Sequence, residues 1–326
     1  MNRSAALAMF AIVTIAAVAA APSSVPSAAP LVLSAHRGVV SSVAAAGDRI
    51  VSGGIDGTVR LWRAADGNEL ATLRAGGEVH AVAISPDGRA IVAGVAKQIV
   101  SFAQGESRPR WSRDLRGYAS AVAFSPDGRT VAAISSDGTL TLLDAANGAP
   151  RQTIALQDSG GSVAWSRDGR WLAAGGVDVQ LWQVGASAAP GEPRKLAGHH
   201  DLAFALAFSP DGTRLVSASL DRTARLWNVA DGAVVATLET AHPTRLTIGG
   251  RPRAIPQQLA VTSAAWSPDG ATFVTAGADR AVHVWDAATG KLRESREGHT
   301  RAITAVAFTP NGRIVSSSAD GTVRIW

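Results

Sequence analysis

The sequence predicts an all-β chain, because one unit of three short strands recurs along it. The unit is clearest in residues 298–326, where a Pro-Asn-Gly turn and an Asp-Gly turn separate three strand-like runs. Period-2 alternation suits a pleated strand, and Asn-Gly or Asp-Gly supplies the positive φ that a hairpin needs. Seven such units follow one another, and the third run of each ends at Trp62, Phe102, Leu143, Trp182, Trp227, Trp285 or Trp326.

The spacing of these seven residues predicts the architecture. Successive steps are 40, 41, 39, 45, 58 and 41 residues, and a period of about 40 to 45 residues with several strands per unit is typical of propeller blades. First runs such as residues 121–124 alternate small alanine with larger side chains, as a crowded innermost strand requires. We therefore predict an all-β, seven-bladed β-propeller over residues 31–326.

Each unit also carries a turn between its first and second strands. Proline presets φ at the second position of such a turn, and glycine accepts the left-handed conformation. The first unit departs from the pattern with Ala45–Asp48, and the other six turns are Ser85–Gly88, Ser125–Gly128, Ser166–Gly169, Ser209–Gly212, Ser267–Gly270 and Thr309–Gly312. Together with the Gly-His pairs and an aspartate six residues before tryptophan, these turns resemble the WD40 repeat family.

The resemblance also implies how the ring closes. In WD40 proteins the outer strand of the last blade comes from the N-terminus, and here Leu31–Ser34 precedes His36 much as Lys195–Ala197 precedes His199. We expect residues 31–34 to pair beside the strand that ends at Trp326, which would remove two unpaired edges.

Histidine, serine or threonine, aspartate and tryptophan recur together in several units. Such a set invites a hydrolase interpretation, in which histidine activates a hydroxyl and aspartate orients the histidine. A catalytic site occurs once, however, and the resemblance implies a repeated structural hydrogen-bond network. The predicted network residues are His36, Ser52, Asp56, Trp62, His199, Ser217, Asp221, Trp227, Thr275, Asp279, Trp285, His299, Ser316, Asp320 and Trp326, with His242 as the candidate histidine of the sixth unit.

The first 30 residues predict an export signal and a linker. Arg3 gives a positively charged start, Ala5–Ala20 is apolar, and Ala17-Val18-Ala19 fits a small-x-small cleavage site. We predict a signal peptide over residues 1–21, with an uncleaved anchor as the alternative, and a Pro/Ser/Ala linker over residues 22–30. The expected location is periplasmic or secreted.

Composition argues against several classes of function. The chain has 31 Lys and Arg against 26 Asp and Glu and no run of five basic residues, so we predict no nucleic-acid partner. The lack of cysteine excludes thiol catalysis and Cys-ligated zinc within these residues. The inner strands offer only Glu78 and His80 as possible metal ligands, so we predict no metal, no cofactor and no enzyme activity.

The long step before Trp285 contains an insertion between Thr237 and Ala260. By family topology it lies on the face that carries the aspartate turns, and arginine beside apolar groups favours an interface. A solvated loop is the alternative. The candidate partner-binding residues are Arg222, Arg245, Ile248, Arg251, Arg253, Ile255 and Arg280, with Leu246 as a further apolar anchor.

These observations predict a monomeric, noncatalytic scaffold that binds a protein or a peptide in the cell envelope. Fold alone does not fix function, and two alternatives stay open. One is a sensory or regulatory domain of a larger protein that continues past Trp326. The other is a propeller enzyme that uses the central channel around Glu78 and His80.

Overall fold

The computed structural model describes residues 29–34, 36–158, 161–184, 191–239, 246–248, 251–253 and 261–326. The predicted signal peptide, most of the predicted linker, His242, Arg245 and Ile255 lie outside the described residues. None of the described residues is helical, and the described part of the chain contains no helix with the length and apolar character needed to cross a membrane.

Seven four-stranded antiparallel sheets form the blades, which confirms the predicted fold class. In order from the inner to the outer strand, the strands are as follows. Blade 1 holds β2 (Val40–Ala46), β3 (Arg49–Gly54), β4 (Thr58–Arg63) and β5 (Glu69–Arg74); blade 2 holds β6 (Val79–Ile84), β7 (Ala90–Val95), β8 (Gln98–Ala103) and β9 (Pro109–Asp114); blade 3 holds β10 (Ala119–Phe124), β11 (Thr130–Ser135), β12 (Thr139–Asp144) and β13 (Pro150–Ala155); blade 4 holds β14 (Val163–Trp165), β15 (Trp171–Ala174), β16 (Val179–Gln183) and β17 (Arg194–Leu196).

The second half of the ring has the same construction. Blade 5 holds β18 (Ala203–Phe208), β19 (Arg214–Ser219), β20 (Thr223–Asn228) and β21 (Val234–Glu239); blade 6 holds β24 (Val261–Trp266), β25 (Thr272–Gly277), β26 (Ala281–Asp286) and β27 (Leu292–Glu297); blade 7 holds β28 (Ile303–Phe308), β29 (Ile314–Ser318), β30 (Val323–Ile325) and β1 (Leu31–Leu33). Within the insertion, β22 (Leu246–Ile248) and β23 (Arg251–Arg253) pair as a separate hairpin.

The hydrophobic core lies between the blades. The buried apolar residues of the described chain fall into seven clusters, and each cluster joins two neighbouring blades. The large residue of the third strand faces the preceding blade: Trp62 packs with blade 7, Trp182 with blade 3 and Trp227 with blade 4. Each blade therefore buries its apolar faces only by contact with its neighbours.

Alternating strand directions give the ring two distinct faces. One face, here the Asp-turn face, carries the turns between the second and third strands, with Asp56, Asp221 and Asp320, and the connections between blades. The opposite face carries the Pro-Asp-Gly turns between the first and second strands and the turns that lead to the outer strands. β21 ends and β24 begins on the Asp-turn face.

The ring is closed by the N-terminal strand, as predicted. β1 pairs with β30 through Leu31 to Ile325 and Leu33 to Val323, and Leu33 is buried in the cluster between blades 7 and 1. Gly67, in the last turn of blade 1, has φ of 73°, and a Cβ atom there would lie 2.5 Å from both Leu31 and Leu33. The outer strand of blade 7 thus packs closely on a turn of blade 1.

We predict that Leu33→Ala destabilises the ring, because the side chain is 5% exposed and fills the core between the first and last blades. The expected loss in the free energy of unfolding is about 2 to 4 kcal/mol. Val32→Ala is the matched control, since Val32 lies on the same strand and is 43% exposed. Urea denaturation measures both, and equal losses in the two variants would contradict closure through Leu33.

Candidate functional site

Blade 5 shows the polar network that lies beneath the Asp-turn face. His199 precedes the inner strand, Ser217 lies on β19, Asp221 lies in the turn and Trp227 lies on β20. His199 Nδ1 lies 2.8 Å from Asp221 and Nε2 lies 2.6 Å from Ser217 Oγ. The indole N–H of Trp227 donates to the same Oγ at 2.8 Å. The network therefore ties a loop, a turn and two strands together.

Blades 1 and 7 repeat this arrangement. His36 lies 3.1 Å from Asp56 and 2.8 Å from Ser52, and His299 lies 2.9 Å from Asp320 and 2.8 Å from Ser316. The tryptophan donors are Trp62 at 2.8 Å and Trp326 at 2.9 Å. The sequence analysis missed a fifth polar group, a threonine two residues after each aspartate that donates to the carboxylate. The repeated Asp-x-Thr spacing could have revealed Thr58, Thr223 and Thr322.

These contacts fix the charge of each network. Burial lowers the pKa of His36, His199 and His299 below the usual 6.5. When Nδ1–H of a neutral histidine donates to the aspartate, Nε2 accepts from the serine hydroxyl, which itself accepts from tryptophan. Burial alone would raise the pKa of Asp56, Asp221 and Asp320. Hydrogen bonds from threonine, a backbone N–H and histidine outweigh it and lower the pKa to about 2.

The geometry resembles a catalytic triad, but the serines cannot meet a substrate. Ser52, Ser217 and Ser316 have no exposed surface, and each Oγ is already held between histidine and indole. A nucleophile must reach the reacting carbon. The arrangement therefore acts within the fold, as a rigid and fully partnered core network.

Blade 6 has a histidine on its third strand beside the aspartate. Trp285 donates to Thr275 at 2.8 Å, and Asp279 is met by His283 Nε2 at 2.7 Å. Blades 1, 5 and 7 have threonine two residues after the aspartate, whereas blade 6 has Ala281, so His283 supplies a contact in place of that hydroxyl. The sequence analysis missed His283, because it lies on the third strand rather than in a Gly-His pair.

Blades 2 and 3 replace polar partners with apolar ones. At the positions of histidine and tryptophan, blade 2 has Ala75 and Phe102, and blade 3 has Leu115 and Leu143, and each pair packs in one apolar cluster. The serine position becomes alanine in blades 2, 3 and 4, as Ala93, Ala133 and Ala174. Phe102 and Leu143 are fully buried, so these blades exchange hydrogen bonds for packing.

The inner strands place a ring of side chains at the channel mouth on the Asp-turn face. Six inner strands have a β-bulge near their start, and each bulge places one residue at the channel mouth. Together with Ser162, which precedes β14, these residues line a cavity of about 470 Å³. The ring consists of Ser41, His80, Ser120, Ser162, Phe204, Thr262 and Thr304.

One side of this ring is used to join blades. Ser41 donates to the carbonyl oxygen of Val79 in blade 2 at 2.5 Å, and Thr304 donates to that of Val40 in blade 1 at 2.5 Å. Thr262 similarly bonds blade 6 to blade 7 at 2.7 Å. The other side leaves His80 and Phe204 facing the cavity. One half of the ring therefore bonds neighbouring blades to each other, and the other half presents His80 and Phe204 to the cavity.

The Asp-turn face exposes large apolar side chains. Away from the outer strands, the large apolar residues exposed in the described chain are Ile55 at 41%, Tyr118 at 55% and Phe204 at 39%, and all three belong to this face. The ring of Tyr118 meets His80 edge-on at 6.3 Å between centroids, and Lys97 Nζ lies 5.5 Å from its centre. Tyr118, His80 and Phe204 form the aromatic rim of the channel mouth, which the sequence analysis did not find.

The predicted partner-binding arginines are only partly placed. Arg222 and Arg280 are exposed on the Asp-turn face with φ of 73°, where blades 1 and 7 have Gly57 and Gly321. Ile248, Arg251 and Arg253 belong to the β22–β23 hairpin by backbone pairing.

The two channel residues proposed for an enzyme are separated. Glu78 precedes β6 rather than lying on it, and it lines a groove between blades 1 and 2, whereas His80 lines the central cavity. Among the described residues, no group of three or more His, Asp or Glu could hold a metal ion.

Comparison with known families agrees with this geometry. A family model described as WD domain, G-beta repeat matches residues 192–228, 254–286 and 290–326. These three segments are WD repeats. The three matched repeats contribute the third strands of blades 5, 6 and 7, where tryptophan donates to a buried hydroxyl.

A second family model, described as outer membrane protein assembly factor BamB, matches residues 15–177, half of the chain. Because this match covers half of the chain, the chain belongs to the family of that model over residues 15–177. The matched segment contains blade 1, which has the complete polar network, and blades 2 and 3, in which the network is replaced by apolar pairs.

Curated relatives share the repeat over part of their length. The serine-threonine kinase receptor-associated protein of Gallus gallus is 27% identical over 60% of this chain and 62% of its own. The WD repeat and HMG-box DNA-binding protein 1 of Xenopus laevis is 24% identical over 86% of this chain and 21% of its own. Protein HIR1 of Eremothecium gossypii is 26% identical over 51% of this chain and 22% of its own.

We predict that Trp227→Phe lowers the free energy of unfolding by about 1 to 3 kcal/mol, because it leaves Ser217 without its indole donor and removes packing volume. Trp165→Phe is the control, since the buried indole nitrogen of Trp165 has no hydrogen-bond partner in the described chain. We expect a smaller loss or none in that variant. Thermal and urea denaturation measure both, and equal losses would contradict the energetic role of the network.

Acid should remove part of this stability. The folded-state pKa of Asp221 is lowered to about 2, below the unfolded value of about 3.9, so the carboxylate stabilises the fold fully above pH of about 4 and loses this effect as pH falls through about 2. We expect Asp221→Asn to be less stable than the parent at neutral pH, with a gap that narrows in acid.

Urea denaturation at about pH 7 and about pH 2.5 tests this expectation. Asp201→Asn, at an exposed carboxylate in the same blade, should stay close to the parent at neutral pH. A gap between Asp221→Asn and the parent that is as wide in acid as at neutral pH would contradict a stabilising charge at Asp221.

Proposed function

We propose that this WD-repeat propeller is a noncatalytic platform that binds another protein or a peptide in the cell envelope through its Asp-turn face. The placement of exposed apolar side chains carries the proposal, since Tyr118 and Phe204 lie at the channel mouth and Ile55 lies on the same face. Aromatic and arginine side chains are enriched at the centres of protein interfaces.

Charged side chains surround the aromatic rim. Arg37, Lys97, Arg116 and Arg301 are exposed in loops and turns of the same face. The proposed partner therefore presents an apolar anchor to the channel mouth and acidic groups to the rim. The proposed contact set adds Tyr118 and Phe204 to Arg222, Arg245, Ile248, Arg251, Arg253, Ile255 and Arg280.

A noncatalytic role is favoured over an enzyme at the channel. The network serines are buried, and Glu78 and His80 line different cavities. One relative is named as receptor-associated, which supports an interaction role.

The proposed location is the periplasm or the exterior, with the propeller acting as a monomer. The predicted signal peptide over residues 1–21 supports this location, and so does the match to a family described by outer membrane protein assembly. An uncleaved N-terminal segment would instead anchor the propeller at the membrane.

A second candidate is a sensory or regulatory propeller within a larger protein. The aligned segment is only 22% of HIR1 and 21% of the HMG-box relative, so related propellers occur within much longer chains. Immunoblotting of the native protein with an antibody against the propeller would decide it, since a band far above 33.4 kDa would favour this candidate.

We expect the double variant Tyr118→Ser/Phe204→Ser to lose an envelope protein that the parent retains in a pull-down, because two aromatic anchors are removed. The purified pair should then bind at least about tenfold more weakly. Val234→Ser/Val235→Ser is the matched control, since these valines are 43% and 49% exposed on an outer strand.

A third variant, Arg245→Ser/Arg251→Ser/Arg253→Ser, tests the insertion separately. Loss of binding in this variant would include the insertion in the interface, and unchanged binding would reduce it to a spacer. If the parent, the aromatic variant and the valine control all retained the same proteins, the aromatic rim would not be the binding site.

A further inference from the structure

The opposite face carries a groove between blades 2 and 3 that the proposed function does not use. It has a volume of about 660 Å³ and is lined by the Pro-Asp-Gly turns of both blades and by residues of the outer strands β9 and β13. Phe124 and Ala145 are half-buried apolar residues of its lining, and Pro86 and Pro126 belong to the turns that border it.

Four arginine and three aspartate side chains form the charged part of this groove. Arg89 and Arg129 each follow the glycine of a turn, and Arg110 lies on β9. All three are exposed. Their guanidinium groups make no hydrogen bond or ion pair with any residue that the structure describes. A fourth arginine of the groove, Arg151, is already held by Asp144 at 2.6 Å and by Thr130 at 2.9 Å.

The nearby carboxylates are already engaged. Asp87 accepts hydrogen bonds from Ser85 Oγ at 2.5 Å and from the backbone N–H of Arg89, in the same turn, at 3.0 Å. Asp127 is held in the same way by Ser125 at 2.5 Å and by the N–H of Arg129 at 3.0 Å. These bonds stabilise the turns and leave the arginine side chains free to bind an external anion.

In two equivalent grooves, the arginine side chains are paired with groups of the protein. Between blades 6 and 7, Arg293 pairs with Asp286 at 2.5 Å and Arg296 pairs with Glu294 at 2.6 Å. Between blades 5 and 6, Arg214 donates to the carbonyl oxygen of Ala287 at 2.6 Å. The groove between blades 2 and 3 therefore differs from these two grooves in having unpaired guanidinium groups.

The walls of the groove are held in place. Trp111 of blade 2 donates to the carbonyl oxygen of Ala145 in blade 3 at 3.0 Å, and Arg113 donates to that of Gly148 at 3.0 Å. Both bonds join the outer strand of one blade to a turn of the next. A site whose walls are fixed before binding loses less entropy when a ligand is bound.

We propose that this groove is a second binding site, on the face opposite the aromatic rim, for an acidic peptide segment whose Asp or Glu side chains pair with Arg89, Arg110 and Arg129. Guanidinium groups bind carboxylates through paired hydrogen bonds. The apolar part of the lining accommodates the carbon chains of the peptide. Asp87 and Asp127 favour singly charged carboxylates over doubly charged phosphate groups, because they repel the latter more strongly.

The test uses the full chain and a fluorescent synthetic peptide of alternating Glu and Ala, with anisotropy as the readout. We expect Arg89→Ser, Arg110→Ser and Arg129→Ser each to weaken binding by roughly tenfold, as for the loss of one charge-assisted contact. Arg170→Ser is the matched control, since Arg170 follows the glycine of the equivalent blade 4 turn and does not line the groove. We expect it to change binding less than about twofold.

A further variant separates specific recognition from general attraction. Arg129→Lys keeps the charge but loses the paired geometry, so it should bind more weakly than the parent. Equal weakening by Arg170→Ser and Arg129→Ser, or no peptide binding by the parent, would overturn the proposal. Inorganic phosphate that displaced the peptide at lower concentration than glutamate would overturn its ligand class. Tyr118→Ser/Phe204→Ser should leave peptide binding unchanged, which distinguishes this site from the aromatic rim.

Discussion

Pairing of β1 with β30 is the constraint on which the rest of the ring depends. Every described core cluster spans two blades, so no blade has a core of its own. An open ring would expose apolar faces on blade 7 and on blade 1 and would leave the edge of β30 unpaired. The strand that supplies closure is short, with only three residues. Its effect comes from position, since Leu33 joins the last core cluster as well as the last sheet.

Two solutions hold the blades together within this closed ring. Blades 1, 5 and 7 connect loop, turn and tryptophan through a charged aspartate and a neutral histidine, and blade 6 keeps the tryptophan bond with His283 beside the aspartate. Blades 2 and 3 fill the same positions with Ala75 and Phe102 or with Leu115 and Leu143. A buried polar group requires all of its partners. Loss of the serine therefore fits the simultaneous loss of histidine and tryptophan in these blades.

The repeat made the fold and the polar networks of blades 1, 5 and 7 predictable from sequence, since turn residues and strand alternation act locally. Contacts between blades were harder to predict. His283 contacts the aspartate in the blade that has Ala281 where other blades have threonine. A Gly-His pattern does not identify this histidine. The rim formed by Tyr118, His80 and Phe204 combines residues of three blades, and the bulges that set out His80 and Phe204 depend on strand pairing. One residue separates Glu78 from His80 in the sequence, yet the two line different cavities, because Glu78 precedes β6 and His80 lies on it.

The change in blade character has a consequence for both faces. Where the network is complete, the aspartate of the turn and the histidine of the loop are committed to the interior, so fewer side chains remain for recognition. In blade 2 the turn has Lys97 and no aspartate, and in blade 3 the loop offers the exposed Tyr118. On the opposite face the residue after the turn glycine is arginine in blades 2, 3, 4 and 7 and threonine or alanine in blades 5 and 6. Blades 2 and 3, which replace the network with apolar packing, thus border the groove of the opposite face and contribute His80, Lys97 and Tyr118 to the channel mouth.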